Sequence, residues 1–581
     1  MTSRSELYTV VDRFFDGDRA ADLAGKLTDF YRSPGSSGFL EATSIVEEGF
    51  RSRGFRDLEV TEYPLKNSWE PIEASLALMT EDGEKILTDY ETAPPSLAWW
   101  SESTPADGEK LEVVDVGTGE TKEHFQGKDV AGKAVFIHGT TRRPGWWESA
   151  RLAIDQGARG IITDYMLYQV PGVREPHLVP EAVQLLRLPV TEDSGVWAFS
   201  ISKNAADSLV EQLNRGTAKV RAKVQVKSGP SVLRNIVASI PGSDLPGETI
   251  MYCAHTSGVK PGGNCAEGPG MLVELAGAMK QAIEAGEIPA PRRTVRFLIG
   301  CEGAGVGAYL QDHPEETDGM QVAFTYCSPG HRQDLTKSNL MLYRSPDSVP
   351  GYINEYLSEV AVEGPKEADW VEKDGGKELP QIRFAEHFYT PWSDNGRFAA
   401  AGVQAPLFMS WPDRYFHSQL LTREIIDPVV LRRAALITGV AGLELASADG
   451  KDAQRIARLV AGKARSRLSR LAARIGEDGR SVARGRRMLT DRAQMDSAAL
   501  RRLLELADAG EREDLLAEIE RLEEEIARDL ESELARLPMT DGEIETSPDA
   551  DLVPKRISDQ RARRWAGLEY ADLLKIAEIL Q

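Results

Sequence analysis

From about residue 233 to 447 buried strands and helices alternate, and this alternation narrows the possible folds more than any other feature of the chain. NIVASIPG and ETIMYCAH read as strands, PGMLVELAGAMKQAIEAG as a helix with apolar positions Met271, Leu272, Leu275 and Met279, and RTVRFLIG, MQVAFTY and QAPLFMS as further strands. Near-continuous apolar strands separated by helices predict an open, mostly parallel, doubly wound sheet covered on both faces. Ligands of such sheets bind beyond the carboxyl ends of the strands.

The flanks have other textures. Before residue 70, a Ser/Pro/Gly loop at Ser33 to Gly38 leads into a helix carrying Phe39, Ile45, Val46 and Phe50, then to a stop at Gly54 and the alternating strand LEVTEYPL. Between 71 and 230, short strands with Pro/Gly punctuation predominate. There AGKAVFIHG and the helix and strand of WWESARLAIDQGARGIITDY form a βαβ-like unit. Residues 448–581 are a run of helices. Leu515, Ile519, Leu522 and Ile526 mark one long amphipathic helix ended by Pro538, and YADLLKIAEIL reads as a final helix. The apolar stripe needs a partner face, either within the chain or across a homodimer.

At 581 residues several domains are expected. A net charge of −22 argues against sequence-independent nucleic-acid binding, which needs clustered Lys and Arg. The opening MTSRSELYTVVDRFFDGD lacks the apolar run of a signal peptide, and no stretch of about 18 apolar residues suggests a membrane span. Four cysteines are too few for a disulfide framework, so a cytoplasmic location is expected.

The predicted strand ends collect chemistry. YCAHTSG delivers Cys253 and His255, the Gly-rich KPGGNCAEGPG presents Asn264 and Cys265, FLIGCEGAG ends at Cys301 and Glu302, FTYCSPG at Cys327, and WPDRYFHSQL carries His417 after a strand. A single cysteine is most often a small buried hydrophobe, and a single histidine most often a scaffold residue. Their convergence in one predicted crevice, with a glutamate in an otherwise apolar-to-Gly segment, points to a site.

In the order and spacing of these segments the chain resembles the zinc-dependent aminopeptidases of clan MH, the M28 peptidases, in the form that carries a protease-associated (PA) domain insertion. RSPGSSGFLEATSIVEEGFRSRGF resembles the family's leading loop and helix, AGKAVFIHG…ARLAIDQGARGIITD a PA domain, NIVASIPGSD…ETIMYCAHTSG the first catalytic strands, RTVRFLIGCEGAGVGAYL the segment with the catalytic glutamate, and SDNGRFAAAGVQAPLFM and YFHSQLLT the closing segments. The resemblance implies a peptidase-like domain in two parts, 1–70 and 231–447, a β-rich PA-like insertion over 71–230, and a C-terminal α-helical region over 448–581 able to dimerise the protein. His255 and His417 then match the first and last zinc histidines and Glu302 the general base.

Three family ligands are replaced. Asn264 stands at the bridging aspartate, Gly303 at the glutamate after the base, and Cys327 at the aspartate completing the other zinc's shell, while Ser257 alters the family's H-x-D. A neutral amide does not offset the repulsion between two dications, so one zinc ion is expected, held by His255, Cys327, Cys265 and His417, or no metal at all. The resemblance also puts Asp394 and His387 among the acid–base candidates and Glu386, Asn264 and Asn395 on the substrate side. Three functions follow: hydrolysis of a peptide or amide bond in a peptide or small molecule by metal-activated water with Glu302 as base; a single-metal or metal-free cyclase or lyase, as glutaminyl cyclases do on a similar scaffold; or a non-catalytic binding protein, laid out like the transferrin receptor.

Overall fold

The computed structural model describes residues 3–139, 143–189, 194–363, 371–373, 376–378, 382–475 and 482–537. The strands are β1 (Glu59–Thr80), β2 (Gly83–Asp89), β3 (Glu109–Asp115), β4 (Ala134–Ile137), β5 (Gly160–Thr163), β6 (Trp197–Ser200), β7 (Ala218–Ile240), β8 (Leu245–His255), β9 (Arg293–Gly300), β10 (Met320–Ser328), β11 (Asn339–Tyr343), β12 (Val371–Lys373), β13 (Gly376–Glu378), β14 (Phe384–His387) and β15 (Leu407–Trp411). Apart from the β12–β13 hairpin they form one 13-stranded sheet, in the order β14-β11-β15-β10-β8-β9-β7-β3-β4-β5-β6, with β1 on β7 and β2 on β1.

The core of that sheet is parallel where the alternation predicts it. β9, β8, β10 and β15 run parallel, and β8 is buried without interruption from Ile250 to His255. Helix Glu267–Glu284 explains its own position. It is buried on almost every side, as an all-round apolar helix must be. Helix Ser37–Ser52 starts where Ser36 accepts the Phe39 N–H at 3.1 Å, and it sinks Phe39, Ala42, Val46 and Phe50.

β1 and β7 are longer than the local strand patterns suggest. LEVTEYPL and NIVASIPG are only their outer ends, and the antiparallel pair runs on through Glu70↔Lys227 to Leu78↔Val220. The positions near 70 and 230 therefore lie inside strands, and the sheet passes from one part of the chain to the other without a break. Within 71–230, β3, β4, β5 and β6 are parallel, with helices Arg143–Asp155 and Lys203–Arg215 between and after them.

The C-terminal region forms helices Gly450–Arg474, Val482–Arg501 and Arg512–Arg536. Leu515, Ile519, Leu522 and Ile526 are buried in the cluster that also holds the first two helices and the sheet core, so the stripe finds its partner face within the chain. Arg293 on β9 ties this region down: its guanidinium donates to Ala448 O at 2.7 Å and to Leu506 O at 2.9 Å. Pro538 and the final helix expected in YADLLKIAEIL lie outside the described residues. Among the described residues no helix is long and apolar enough to cross a membrane.

Candidate active site

Strand register decides which side chains meet. His255 pairs with Gly300 across β8 and β9, and Ala254 with Tyr326 across β8 and β10. The carboxyl ends of three neighbouring strands thus level out, and the residues that follow, Glu302 and Cys327 among them, project together with His255. They form the floor of a cavity of about 130 Å³, which Cys265 and His417 also line. An apolar cavity near this size takes a benzene-sized group.

The walls come mostly from elsewhere. Trp146, Trp147, Leu167, Tyr168 and Leu185 to Arg187 belong to the 71–230 segment, and Trp392, Met409 and Phe416 complete the enclosure. Tyr168 stacks on Trp392 at 5.2 Å between ring centroids and meets Phe416 edge-on at 5.9 Å. Fixed aromatic planes of this kind favour a flat or aliphatic uncharged group.

At the floor each polar group is held from behind. His255 Nδ1 donates to Asp394 Oδ2 at 2.9 Å, leaving Nε2 aimed at the cavity, 3.8 Å from Glu302 Oε1 and 4.0 Å from Cys327 Sγ. Ser393 Oγ donates to Glu302 Oε1 at 2.9 Å, and Glu302 N–H donates to Ser257 Oγ at 2.9 Å. Ser257, the residue that alters the family's H-x-D, therefore fixes the backbone of Glu302. Burial by itself lowers the His255 pKa, but the Glu302 carboxylate and the bond to Asp394 outweigh it and raise the imidazole well above its usual range. Burial pushes the Cys327 thiol up to about 12.

Gly303 has a backbone reason to be glycine. Its φ of +63° and ψ of −51°, with Ala304 N–H donating to Glu302 O at 2.6 Å, make a tight γ-turn that strains any residue with a Cβ. The same turn aims Gly303 N–H at Asp394 Oδ1, 2.8 Å away. A glutamate here would lose that geometry.

The four cysteines separate into two kinds. Cys253 packs with Met251, Leu298 and Phe398, and Cys301 with Phe39, Leu65 and Leu233, as apolar core. Only Cys265 and Cys327 line the cavity. His417 lines it too, with its ring stacked on Phe416 at 3.8 Å, and its carbonyl accepts Leu185 N–H at 2.8 Å.

The other expected residues lie apart from this floor. Glu386 and His387 are exposed on β14, at the edge of the sheet, Glu386 within 3.4 Å of Arg344. Asn395 is buried, donating to Thr390 O at 3.0 Å and accepting Ser393 N–H at 3.2 Å, and so shapes the turn that presents Ser393 and Asp394. Asn264 is buried, with its amide nitrogen unpartnered. Sequence reasoning missed Ser393, the aromatic walls and the role of Asp394 as the partner of His255. Ser393 stands beside Asp394 in PWSDNGRF, but only the fold shows that both reach the histidine.

The expected zinc meets a poor donor set. An amide and a glycine stand where two carboxylates are expected, and among the described residues no group of three or more His, Cys, Asp or Glu is spaced to hold a metal ion.

Behind the cavity floor, Glu267, His331 and Asp413 form a second, fully buried cluster. His331 Nε2 lies 3.5 Å from Glu267 Oε1 and its Nδ1 3.7 Å from Asp413 Oδ2. Burial pushes His331 down to about 3 and Asp413 up to about 7, so the cluster favours neutral forms.

No protein-family model matches the chain, and no curated protein does. Solved structures do. A peptidase M28 precursor from Shewanella amazonensis SB2B is 18% identical with a TM-score of 0.55, over 77% of this chain and 98% of that one. BSAP, a zinc aminopeptidase from Bacillus subtilis, is 18% identical with a TM-score of 0.54, over 74% and 95%. The aminopeptidase from Aneurinibacillus sp. strain AM-1 is 21% identical with a TM-score of 0.50, over 75% and 95%. At these identities the likeness is one of fold, and a shared fold hosts many activities.

Proposed function

We propose that the chain is a peptidase-like hydrolase that cleaves a peptide or amide bond next to an uncharged apolar group. One observation carries the reading: at the end of the aromatic cavity a carboxylate and an imidazole face each other, Glu302 Oε1 to His255 Nε2 at 3.8 Å, each braced by a further side chain. The likeness to aminopeptidases in fold supports it.

The residues divide the work as follows. The aromatic walls bind the apolar group and exclude water, which strengthens the charges at the floor. Glu302, oriented by Ser393, takes a proton from the attacking water. His255, kept protonated by Glu302 and Asp394, gives its Nε2 proton to the leaving amine. The water oxygen bonds the carbonyl carbon, the C–N bond breaks, and the proton on Glu302 returns to His255. Since the donor set does not fit the expected zinc, the charge facing the reacting carbonyl is that of the imidazolium.

Glu302→Gln tests this assignment. It keeps the shape and removes the base, so hydrolysis of a panel of apolar aminoacyl and N-acyl amides should fall about 10²- to 10⁴-fold, with an unchanged denaturation midpoint. Undiminished turnover would remove Glu302 from the mechanism.

A further inference from the structure

We propose that Arg174 and Gln184 are positioning residues that set the size of the group the cavity accepts, an inference that rests on the hydrolase reading. Two residues of the cavity wall, Tyr168 and His417, have left-handed backbones, with φ of +52° and +53°. Neither is a glycine, so each conformation costs energy and persists only where the surroundings over-determine it. One comes from the 71–230 segment and the other from the turn after β15, and the same pair of buried side chains holds both.

Arg174 is fully buried. A guanidinium carries its donors in a fixed planar fork, and this one directs them at three acceptors. Nε donates to the carbonyl of Leu167, the residue before Tyr168, at 3.0 Å, Nη1 donates to Arg414 O at 2.9 Å, and Nη2 donates to Gln184 Oε1. Gln184 is buried too, and it carries the connection onward. Its Nε2 donates to His417 O at 3.3 Å, and its backbone pairs with Ser418 in an antiparallel bridge. Val170 and Arg174 exchange backbone hydrogen bonds of 2.9 and 2.8 Å, which fold the turn that returns the guanidinium to Leu167. One side chain thus ties the backbone at Leu167 to that at Arg414 and, through Gln184, to His417.

The wall is therefore fixed from both of its segments. Tyr168 stacks on Trp392 and meets Trp411 edge-on at 6.0 Å, His417 stacks on Phe416, and Leu185 to Arg187 follow directly from Gln184. With these points tied, a cavity of about 130 Å³ admits one benzene-sized ring, and a second fused ring must push against a packed wall. Without the tie, Tyr168 and His417 relax toward right-handed or extended backbone and carry their rings with them. The wall then yields to the larger group.

The test uses phenylacetamide and 2-naphthylacetamide, which differ by one fused ring. Dissociation constants are measured by titration calorimetry on the full chain carrying Glu302→Gln, where turnover does not intervene, and hydrolysis is followed as ammonia release with Glu302 in place. The phenyl compound should bind at least about tenfold tighter than the naphthyl one, and adding Arg174→Met or Gln184→Met should bring the two within about threefold. A role in stability alone would lower the urea midpoint and leave that ratio unchanged. If Arg174→Met does not fold, Gln184→Met, which removes only a neutral amide, carries the same readout. An unchanged ratio in the folded variants, or a Glu302→Gln chain that binds both amides equally or neither, would overturn the proposal, while ammonia release from either amide would still uphold the hydrolase reading. A ratio that collapses as expected in a protein that hydrolyses neither amide would support the positioning role and sink the hydrolase.

Discussion

Asp394→Asn isolates the contact on which the site geometry rests. The carboxylate is fully buried and receives two donors, His255 Nδ1–H at 2.9 Å on one oxygen and Gly303 N–H at 2.8 Å on the other. Asparagine has the same shape but one acceptor oxygen, so one of these donors must face an NH₂ group. If the amide oxygen stays on Gly303, His255 loses its charge-assisted hydrogen bond, which is worth about 1.5–3 kcal/mol. At about 1.4 kcal/mol per tenfold, kcat/KM should fall about 10- to 150-fold, with the His255 pKa shifting down as its carboxylate partner is lost. Unfolding stability should drop by about 1–3 kcal/mol, because a buried donor is left unmade. Both are measurable on one preparation, through hydrolysis rates across pH and urea midpoints. A stability loss with kcat/KM within twofold of wild type would refute the reasoning, since Asp394 would then only brace the Gly303 turn.

Two other perturbations probe the surroundings. Asp413, raised by burial from 3.8 to about 7, contributes stability that is fully present below about pH 4 and is lost as pH rises through 7. Asp413→Asn should cancel about 2.5 kcal/mol of that fall between pH 5 and pH 8, read as urea midpoints at the two pH values, and a wild-type-to-variant difference that does not change with pH would contradict it. Protein purified without added metal or chelator should hold well under one zinc per chain by elemental mass spectrometry, whereas one zinc per chain that disappears in His255→Ala would restore the metal expectation.

How much of this was legible beforehand differs by element. Strand β9 is RTVRFLIG to the residue, and β8, β10 and β15 lie where apolar runs place them, because a strand buried on both faces carries a signal that needs no partner to read. Helix Arg512–Arg536 was legible as amphipathic, but whether its stripe would meet its own chain or a second copy was not, since periodicity records that a face is apolar and not what covers it.

The site shows the same division. The sequence alone determined which residue types stand at the strand ends, and so named His255, Glu302, Cys265 and Cys327 for the crevice, where all four line the cavity. Local pattern by itself did not separate these two cysteines from Cys253 and Cys301, since all four fall at a predicted strand end or in the loop after one, and only the family resemblance singled them out. In the fold Cys253 and Cys301 pack into apolar clusters while Cys265 and Cys327 line the cavity. Glu386 and His387 look equally reactive as letters, but β14 is an edge strand and leaves them exposed. Tertiary structure alone decided that Asp394 would hold His255 from 139 positions away and that Gly303 would sit in a positive-φ turn. Local pattern fixes backbone state and burial, which act over a few residues, whereas hydrogen bonds and charge pairing depend on distances that exist only after the strands have docked.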